Sequence, residues 1–271
     1  MSSLLSRIKE EKKKAKFRAE GSEEGSYTPS SLSLPLPASS SSVPCIPVAD
    51  HAIVALSKEI SPISTWKVSD VDNIYYIPDV VDKDVATALL AYIDSDELSW
   101  TQLKTRKLKC YEKGQGVPQI NEESFPPWLE SLCNCLLKCN VYHSSVEPNH
   151  VLINRYEEGE GIPHHTDGPA YHDQVAIVSL GSAAYFSFKR NVPTSMVGII
   201  DGREDIVKLV LEPNSLLIFN GNAYDRYLHG IEADCDPNQV DMELCDNRSF
   251  LSVDSIQFST RTSLTIRQII R

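Results

Sequence analysis

From residue 151 onward the chain is written as a succession of short apolar runs broken by turn residues: VLINRY, QVAIVSLG, AAYFSFKR, IVKLVL, SLLIFNG, RYLHGI and RTSLTIRQII. Runs of this length, rich in Val, Ile, Leu, Phe and Tyr and bounded by Gly, Pro, Asn or Asp, read as strands. Upstream, the pattern is different. NIYYIPDVV reads as a strand running into a turn at Pro78. DKDVATALLAYIDS reads as a helix, with Asp82 near its start and Val85, Leu89, Leu90 and Ile93 on one stripe. PPWLESLCNCLLKC reads as a second helix with proline at its beginning. Helices followed by a run of strands predict an α+β chain, in which a sandwich or jelly roll is supported on one sheet by the N-terminal helices. No internal repeat is visible.

A chain of 271 residues with 41% hydrophobic content can build one large domain or two small ones. Its longest apolar runs are under ten residues, too short to cross a bilayer as a helix. The net charge of −11 argues against a general basic coat for phosphate, although not against a local basic groove. Residues 1–65 read as a disordered extension, basic at first and then Ser/Pro-rich, because such composition cannot bury enough apolar surface to offset ordering. The folded domain is expected over residues 66–271. A transit peptide is a competing reading of the start, but Glu10, Glu11, Glu20, Glu23 and Glu24 count against it. The lysine run around Lys12 suits nuclear import or simply a solvated tail. The seven cysteines, at 45, 110, 133, 135, 139, 235 and 245, read as reduced thiols. Cys133, Cys135 and Cys139 fall on the second helix in directions and at a spacing unlike those of a zinc site.

Strand periodicity sorts the polar residues into faces. Asn154 and Tyr156 point the same way, as do His165 and Asp167, whereas His164 points away from His165. Together with the later His229, the order H-x-D…H matches the facial triad that holds Fe(II) and leaves coordination positions open. Arg261, Ser263, Thr265 and Arg267 share one face of the last strand. Six residues separate the two arginines, roughly 20 Å along an extended strand. Long side chains leaning together would narrow that gap to about the length of a five-carbon dicarboxylate, and guanidinium matches carboxylate through paired donors. Each motif alone is weak, since H-x-D is common and alternating arginines usually form a solvated face. Their order in one β-rich segment is what carries information.

Asn154-Arg155-Tyr156, His165-Thr166-Asp167, His229 and Arg261…Arg267, with the phrases HTDGPAY, SLGSAAYFSF, LEPNSLLIFNG and YLHGI, resemble the AlkB family of Fe(II)/2-oxoglutarate dioxygenases, in particular its sixth subgroup. The resemblance covers about residues 68–271 and implies a double-stranded β-helix, a form of jelly roll. It implies that His165, Asp167 and His229 bind iron. It further implies that Arg261 pairs with the distal carboxylate of 2-oxoglutarate with help from Tyr156, and that Asn154 and Arg267 lie near its iron-chelating end. Ser263 stands where several members have Asn, and serine can still offer one donor. The implied reaction consumes 2-oxoglutarate and O2, releases succinate and CO2, and oxidises a substrate C–H. An N-methyl group would leave as formaldehyde.

The same resemblance makes alkylated bases in RNA or DNA the leading substrate, which must be single-stranded or flipped out. The basic stretch KTRKLKCYEKG, with Lys104, Arg106, Lys107, Lys109 and Lys113, is the expected phosphate contact, and Trp100, Tyr111 and Tyr171 are candidate stacking residues. Against this, the 231–250 insert carries Glu232, Asp234, Asp236, Asp241, Glu243 and Asp246, which would repel phosphate if it lay over the site as a lid. Two alternatives follow: an oxygenase acting on a protein side chain, and a non-catalytic nucleic-acid-binding module of the same fold. The expected setting is a monomer in nucleus and cytoplasm, without membrane attachment.

Overall fold

The computed structural model describes residues 56–68, 71, 73–95, 100–113, 125–191 and 206–270. The N-terminal basic and Ser/Pro-rich stretch, Cys45 included, lies outside the described residues. In chain order the strands and main helices are β1 (Ile74–Ile77), α1 (Lys83–Asp94), β2 (Thr101–Gln102), β3 (Lys107–Glu112), α2 (Pro127–Lys138), β4 (His150–Tyr156), β5 (Ile162–His165), β6 (Gln174–Leu180), β7 (Ala184–Arg190), β8 (Ile206–Leu211), β9 (Leu216–Asn220), β10 (Tyr227–Ile231) and β11 (Arg261–Arg267). They form two antiparallel sheets: a large one in the order β1-β9-β6-β11-β4-β3-β2 and a small one in the order β5-β10-β7-β8.

Alternation along the central strands divides the interior into two cores. On β6, β9 and β11, Ala176, Val178, Leu180, Leu216, Ile218, Leu264 and Ile266 face the helices. Val175, Ile177, Leu217 and Phe219 face the small sheet, where Phe186, Phe188, Val207 and Leu209 meet them. A sheet buried on both faces explains why these strands read as nearly continuous apolar runs. On β11 the face opposite Leu264 and Ile266 carries Arg261, Ser263, Thr265 and Arg267, so four polar side chains are turned inward between the sheets.

Both helices have the local chemistry their sequence announces. The Asp82 carboxylate accepts from the backbone N–H of Asp84 and caps α1. The helix buries Ala86, Leu89 and Ile93, while Val85 and Leu90 are only partly covered. Proline stands in the first turn of α2, which buries Trp128, Leu129, Leu132, Cys133 and Leu136. Cys133, Cys135 and Cys139 are free thiols, and burial pushes the Cys133 thiol up to about 12.

Three expectations need correction. Residues 56–65, assigned to the extension, are described and packed: Leu56 bridges to Val81, Ile60 is fully buried, and Ile63–Trp66 form a 3-10 turn. The basic segment around Lys107, expected as a phosphate contact, is strand β3, paired along β4. Its alternation was hidden because lysines occupy inward as well as outward positions. The acidic insert is not a free lid: its later part is packed down, while Glu232 and Asp234 at its start line a cavity with Tyr156 and Arg261. Turns at Pro237–Gln239, Met242–Leu244 and Arg248–Phe250 carry the packed part, and Met242 and Cys245 pack with Val210 and Ile256.

The insert is fastened to β8 through Asp246, which exchanges two bonds with Lys208, and through Asn247. The Asn247 side chain accepts from Val210 N at 3.1 Å and donates to Val210 O at 2.8 Å, and it is fully buried. Asn247→Ala leaves two buried backbone groups without partners, so a loss of about 2–4 kcal/mol in unfolding free energy is expected. Chemical denaturation of the variant measures it, and a loss below about 1 kcal/mol would show that the insert is held elsewhere.

Candidate metal centre

The small sheet brings the two distant histidines together. In the pairing of β5 with β10, His229 lies opposite His165, with a bulge between His229 and Ile231. Two glycines allow this close approach. A Cβ on Gly161 would meet Ile231 O at 2.5 Å, and one on Gly230 would meet Ile162 O at 2.8 Å. The imidazole centroids are 4.5 Å apart. Asp167 follows in the turn after β5, where Gly168 takes φ +87°. One donor atom from each of His165, Asp167 and His229 lies within 4.8 Å of the others. His164 faces the other way and meets Ser187 Oγ at 2.8 Å.

Each member of the triad is oriented by a neighbour. His165 Nδ1 lies 2.9 Å from Pro163 O, so the proton belongs on Nδ1 and Nε2 is left as an acceptor. His229 sits among the rings of Phe186, Phe188 and Phe219. Burial, reinforced by His165, pulls its imidazole down to about 3, so it is neutral at physiological pH. Asp167 Oδ1 accepts from Arg267 Nη1 at 2.7 Å, whereas its buried Oδ2 has no partner. Burial alone would raise this carboxyl, but Arg267 and the histidines outweigh it and hold it below the usual range. Two neutral imidazoles and one ionised carboxylate with an unsatisfied buried oxygen fit a divalent cation held by a facial triad.

Arg267 is locked rather than free. Its guanidinium stacks on Tyr171 at 4.0 Å, and Nη2 reaches His150 Nδ1 at 3.5 Å. Because guanidinium only donates, the other His150 nitrogen carries the proton toward Cys110 Sγ, 3.2 Å away. Burial, strengthened by Arg267, keeps His150 neutral. Sequence reading missed His150, whose polar character in an otherwise apolar strand start was the available signal.

Arg261 is different. It is 3% exposed, donates from Nη2 to Ser179 Oγ at 2.8 Å and lies 5.7 Å over the Tyr156 ring. Its Nε has no partner, and no carboxylate among the described residues offsets its burial, which pulls it down to about 10. A buried guanidinium in this state is a receptor for an anion, and a carboxylate of 2-oxoglutarate fits it. Ser179, also missed by sequence reading, is the polar interruption of the apolar run QVAIVSLG, opposite Ser263 in the β6–β11 pairing. Asn154 and Tyr156 on β4 lie opposite Ser263 and Arg261.

The proposed substrate contacts are mostly elsewhere. Register places Lys107, Lys109 and Tyr111 on the helix-facing side of β3. Lys109 is buried, with Nζ donating to Ile93 O at the end of α1 and covering Trp100 at 5.1 Å. Tyr111 belongs to the core under the helices and Tyr171 is clamped on Arg267, whereas Trp100 is only half-buried and lines a cavity with Lys107 and Arg155. Lys113 pairs with Glu130 and Glu147. Lys104 and Lys107 are exposed. Of this set only Arg106 turns toward the site, donating from Nε to Asn154 Oδ1 at 3.0 Å.

Residues 73–267 match the family model described as the 2OG-Fe(II) oxygenase superfamily. The chain is 31% identical over 201 residues to the zebrafish (Danio rerio) protein named probable RNA/DNA demethylase ALKBH6, covering 73% of this chain and 86% of that one. It is 29% identical to the Xenopus tropicalis protein named tRNA (carboxymethyluridine(34)-5-O)-methyltransferase alkbh8, over 65% of this chain and 28% of that one. The solved structure of OsALKBH1 superposes with a TM-score of 0.49 at 16% identity, covering 72% of this chain and 98% of that one.

Proposed function

Since this chain belongs to the 2OG-Fe(II) oxygenase superfamily, in its AlkB-like branch, we propose that it oxidatively demethylates alkylated bases in single-stranded RNA or DNA. One observation carries the oxygenase chemistry: an Asp167 oxygen without a partner inside a His–Asp–His cluster, in the same inter-sheet space as a buried arginine lacking an anion. The choice of nucleic acid is supported by the name of the zebrafish relative.

Bound Fe(II), with 2-oxoglutarate and O2, supplies the oxidising power for an unactivated C–H bond. The protein's own residues do the rest. His165, Asp167 and His229 would hold the metal, each presented from a rigid backbone element or the turn beside it. Arg267 keeps Asp167 ionised and aimed, and Tyr171 and His150 keep Arg267 in place. Arg261 and Ser179 would bind one carboxylate of the co-substrate, and Tyr156 closes the floor beneath it. The phenyl rings of Phe186, Phe188 and Phe219 exclude water behind His229. A protein target is less well supported, because the later part of the acidic insert that would select one is packed against β8.

The test is release of succinate and formaldehyde from iron-loaded protein given methylated single-stranded oligonucleotides, with Asp167→Ala as control. Formaldehyde that requires the oligonucleotide and vanishes in the control is the expected result. Succinate without formaldehyde across the whole panel would overturn the nucleic-acid reading and leave an oxygenase for another substrate.

A further inference from the structure

Three guanidinium groups are buried on the inward side of the large sheet, and two of them have evident partners. Arg267 is paired with Asp167, and Arg261 awaits the carboxylate of the co-substrate. Arg106 is only 6% exposed and has no acidic partner among the described residues. Its Nε is spent on Asn154 Oδ1. Its two terminal nitrogens have no partner, yet neither is sealed from solvent, since the fully buried unpartnered atoms do not include them. The group is thus a fork of free donors, held still at one nitrogen and open at the other two.

Position says which anion it faces. Strand order runs β11, β4, β3, so Arg106, just before β3, stands about two strand spacings, roughly 10 Å, outward from Arg261. That direction leads away from the co-substrate's arginine and toward the edge of the sheet, where Lys104 is exposed in the same turn. The charge of Arg106 is felt at His165, the partly exposed ligand, as one of the smaller contributions after burial. Arg106 therefore lies beside Tyr156 and within electrostatic reach of His165, toward the β2–β3 edge of the large sheet.

We propose that Arg106 anchors a phosphate of the substrate strand beside the nucleotide presented to the metal centre. The assignment rests on the nucleic-acid reading above. A phosphate offers two oxygens at the spacing of a guanidinium fork, and no single lysine supplies that geometry. An uncompensated buried cation is costly, so the site is incomplete until an anion arrives. Asn154 ties this anchor to the strand that also carries Tyr156, so the two ends of the site are built on one rigid sheet. It also narrows the basic stretch from five candidates to two, Arg106 and the exposed Lys104 in the same turn. Lys109 serves α1, Lys113 serves two glutamates, and Lys107 points to the helix side.

The experiment compares Arg106→Gln and Arg106→Lys with the parent protein, metal-loaded and without oxygen. It measures anisotropy of a fluorescein-labelled single-stranded oligonucleotide across a salt series, and then KM for methylated oligonucleotide, methylated nucleoside and 2-oxoglutarate in air. Arg106→Gln is expected to weaken oligonucleotide binding about 10- to 100-fold and to reduce the log–log salt slope by about one. Arg106→Lys should recover the slope but not the full affinity. The ratio of kcat/KM for oligonucleotide over nucleoside should fall, because the nucleoside has no phosphate to lose. A rise in KM for 2-oxoglutarate with an unchanged salt slope would overturn the proposal and make Arg106 a positioning residue for Asn154. If the parent binds no oligonucleotide in a salt-dependent way, the nucleic-acid reading falls and this assignment with it. If the parent binds and Arg106→Gln keeps its slope, only this assignment falls.

Discussion

Asp167→Ala is expected to abolish metal binding and turnover, and also to lower the stability of the metal-free protein by about 3–5 kcal/mol. The two losses have different causes. The catalytic loss follows from removing the only carboxylate of the triad and its unsatisfied Oδ2. The stability loss follows from Arg267, whose buried guanidinium loses its only acidic partner among the described residues. Two companion variants separate them. Asp167→Asn keeps an oxygen for Arg267 Nη1, so it should lose metal while sacrificing less stability. Asp167→Ala combined with Arg267→Met should regain most of the stability and none of the metal, since a buried pair can be replaced by apolar groups at little cost. Calorimetric metal titration and thermal unfolding of the four proteins provide the readings. Iron binding by Asp167→Ala at parental affinity would remove Asp167 from the ligand set.

The second large effect is at Arg261, and its sign depends on the ligand. Without co-substrate, the parent buries a cation that no carboxylate pairs with among the described residues, and burial already pulls it down to about 10. Arg261→Met removes that liability, so the variant should be at least as stable as the parent, by about 1 kcal/mol or more. With metal and 2-oxoglutarate the order reverses. The parent gains about 2.7 kcal/mol at a co-substrate concentration one hundred times its Kd. The variant should gain no more than about 0.4 kcal/mol at that concentration, because its Kd rises about 100-fold or more when the charge-assisted bonds are lost. Thermal melts with and without 2-oxoglutarate decide the matter. A variant that is several kcal/mol less stable alone and still shifts with 2-oxoglutarate would make Arg261 a structural partner of Ser179 and Tyr156.

Where sequence reading succeeded and where it failed follows from the range of the interactions involved. Period two in RTSLTIR is local, so the shared face of Arg261, Ser263, Thr265 and Arg267 is visible without a structure. In KTRKLKCYEKG the same period was not legible, because the lysines suggested only a phosphate contact. There Lys109 is drawn inside by the carbonyl end of α1, a partner 16 residues away that the strand itself does not announce. The acidic insert looked like a repelling lid because charge was all its composition displayed. Its placement is set by adjacent residues, the charged Asp246 and the uncharged Asn247, which both bond the backbone of β8.

The sequence by itself determined the class of fold and the shared face of Arg261 and Arg267, because each is written in alternation over a few positions, while the assignment of Arg261 to the co-substrate came from the family resemblance. Tertiary structure alone decided that His165 and His229 become neighbours, since their pairing across β5 and β10 depends on two glycines that let separate backbones approach. It alone decided that Arg267 pairs with Asp167, and that Arg106, among five basic residues, bonds Asn154. Such choices belong to packing: a side chain's partner is set by which strand lies beside it, and strand order is a property of the closed sheet rather than of any segment within it.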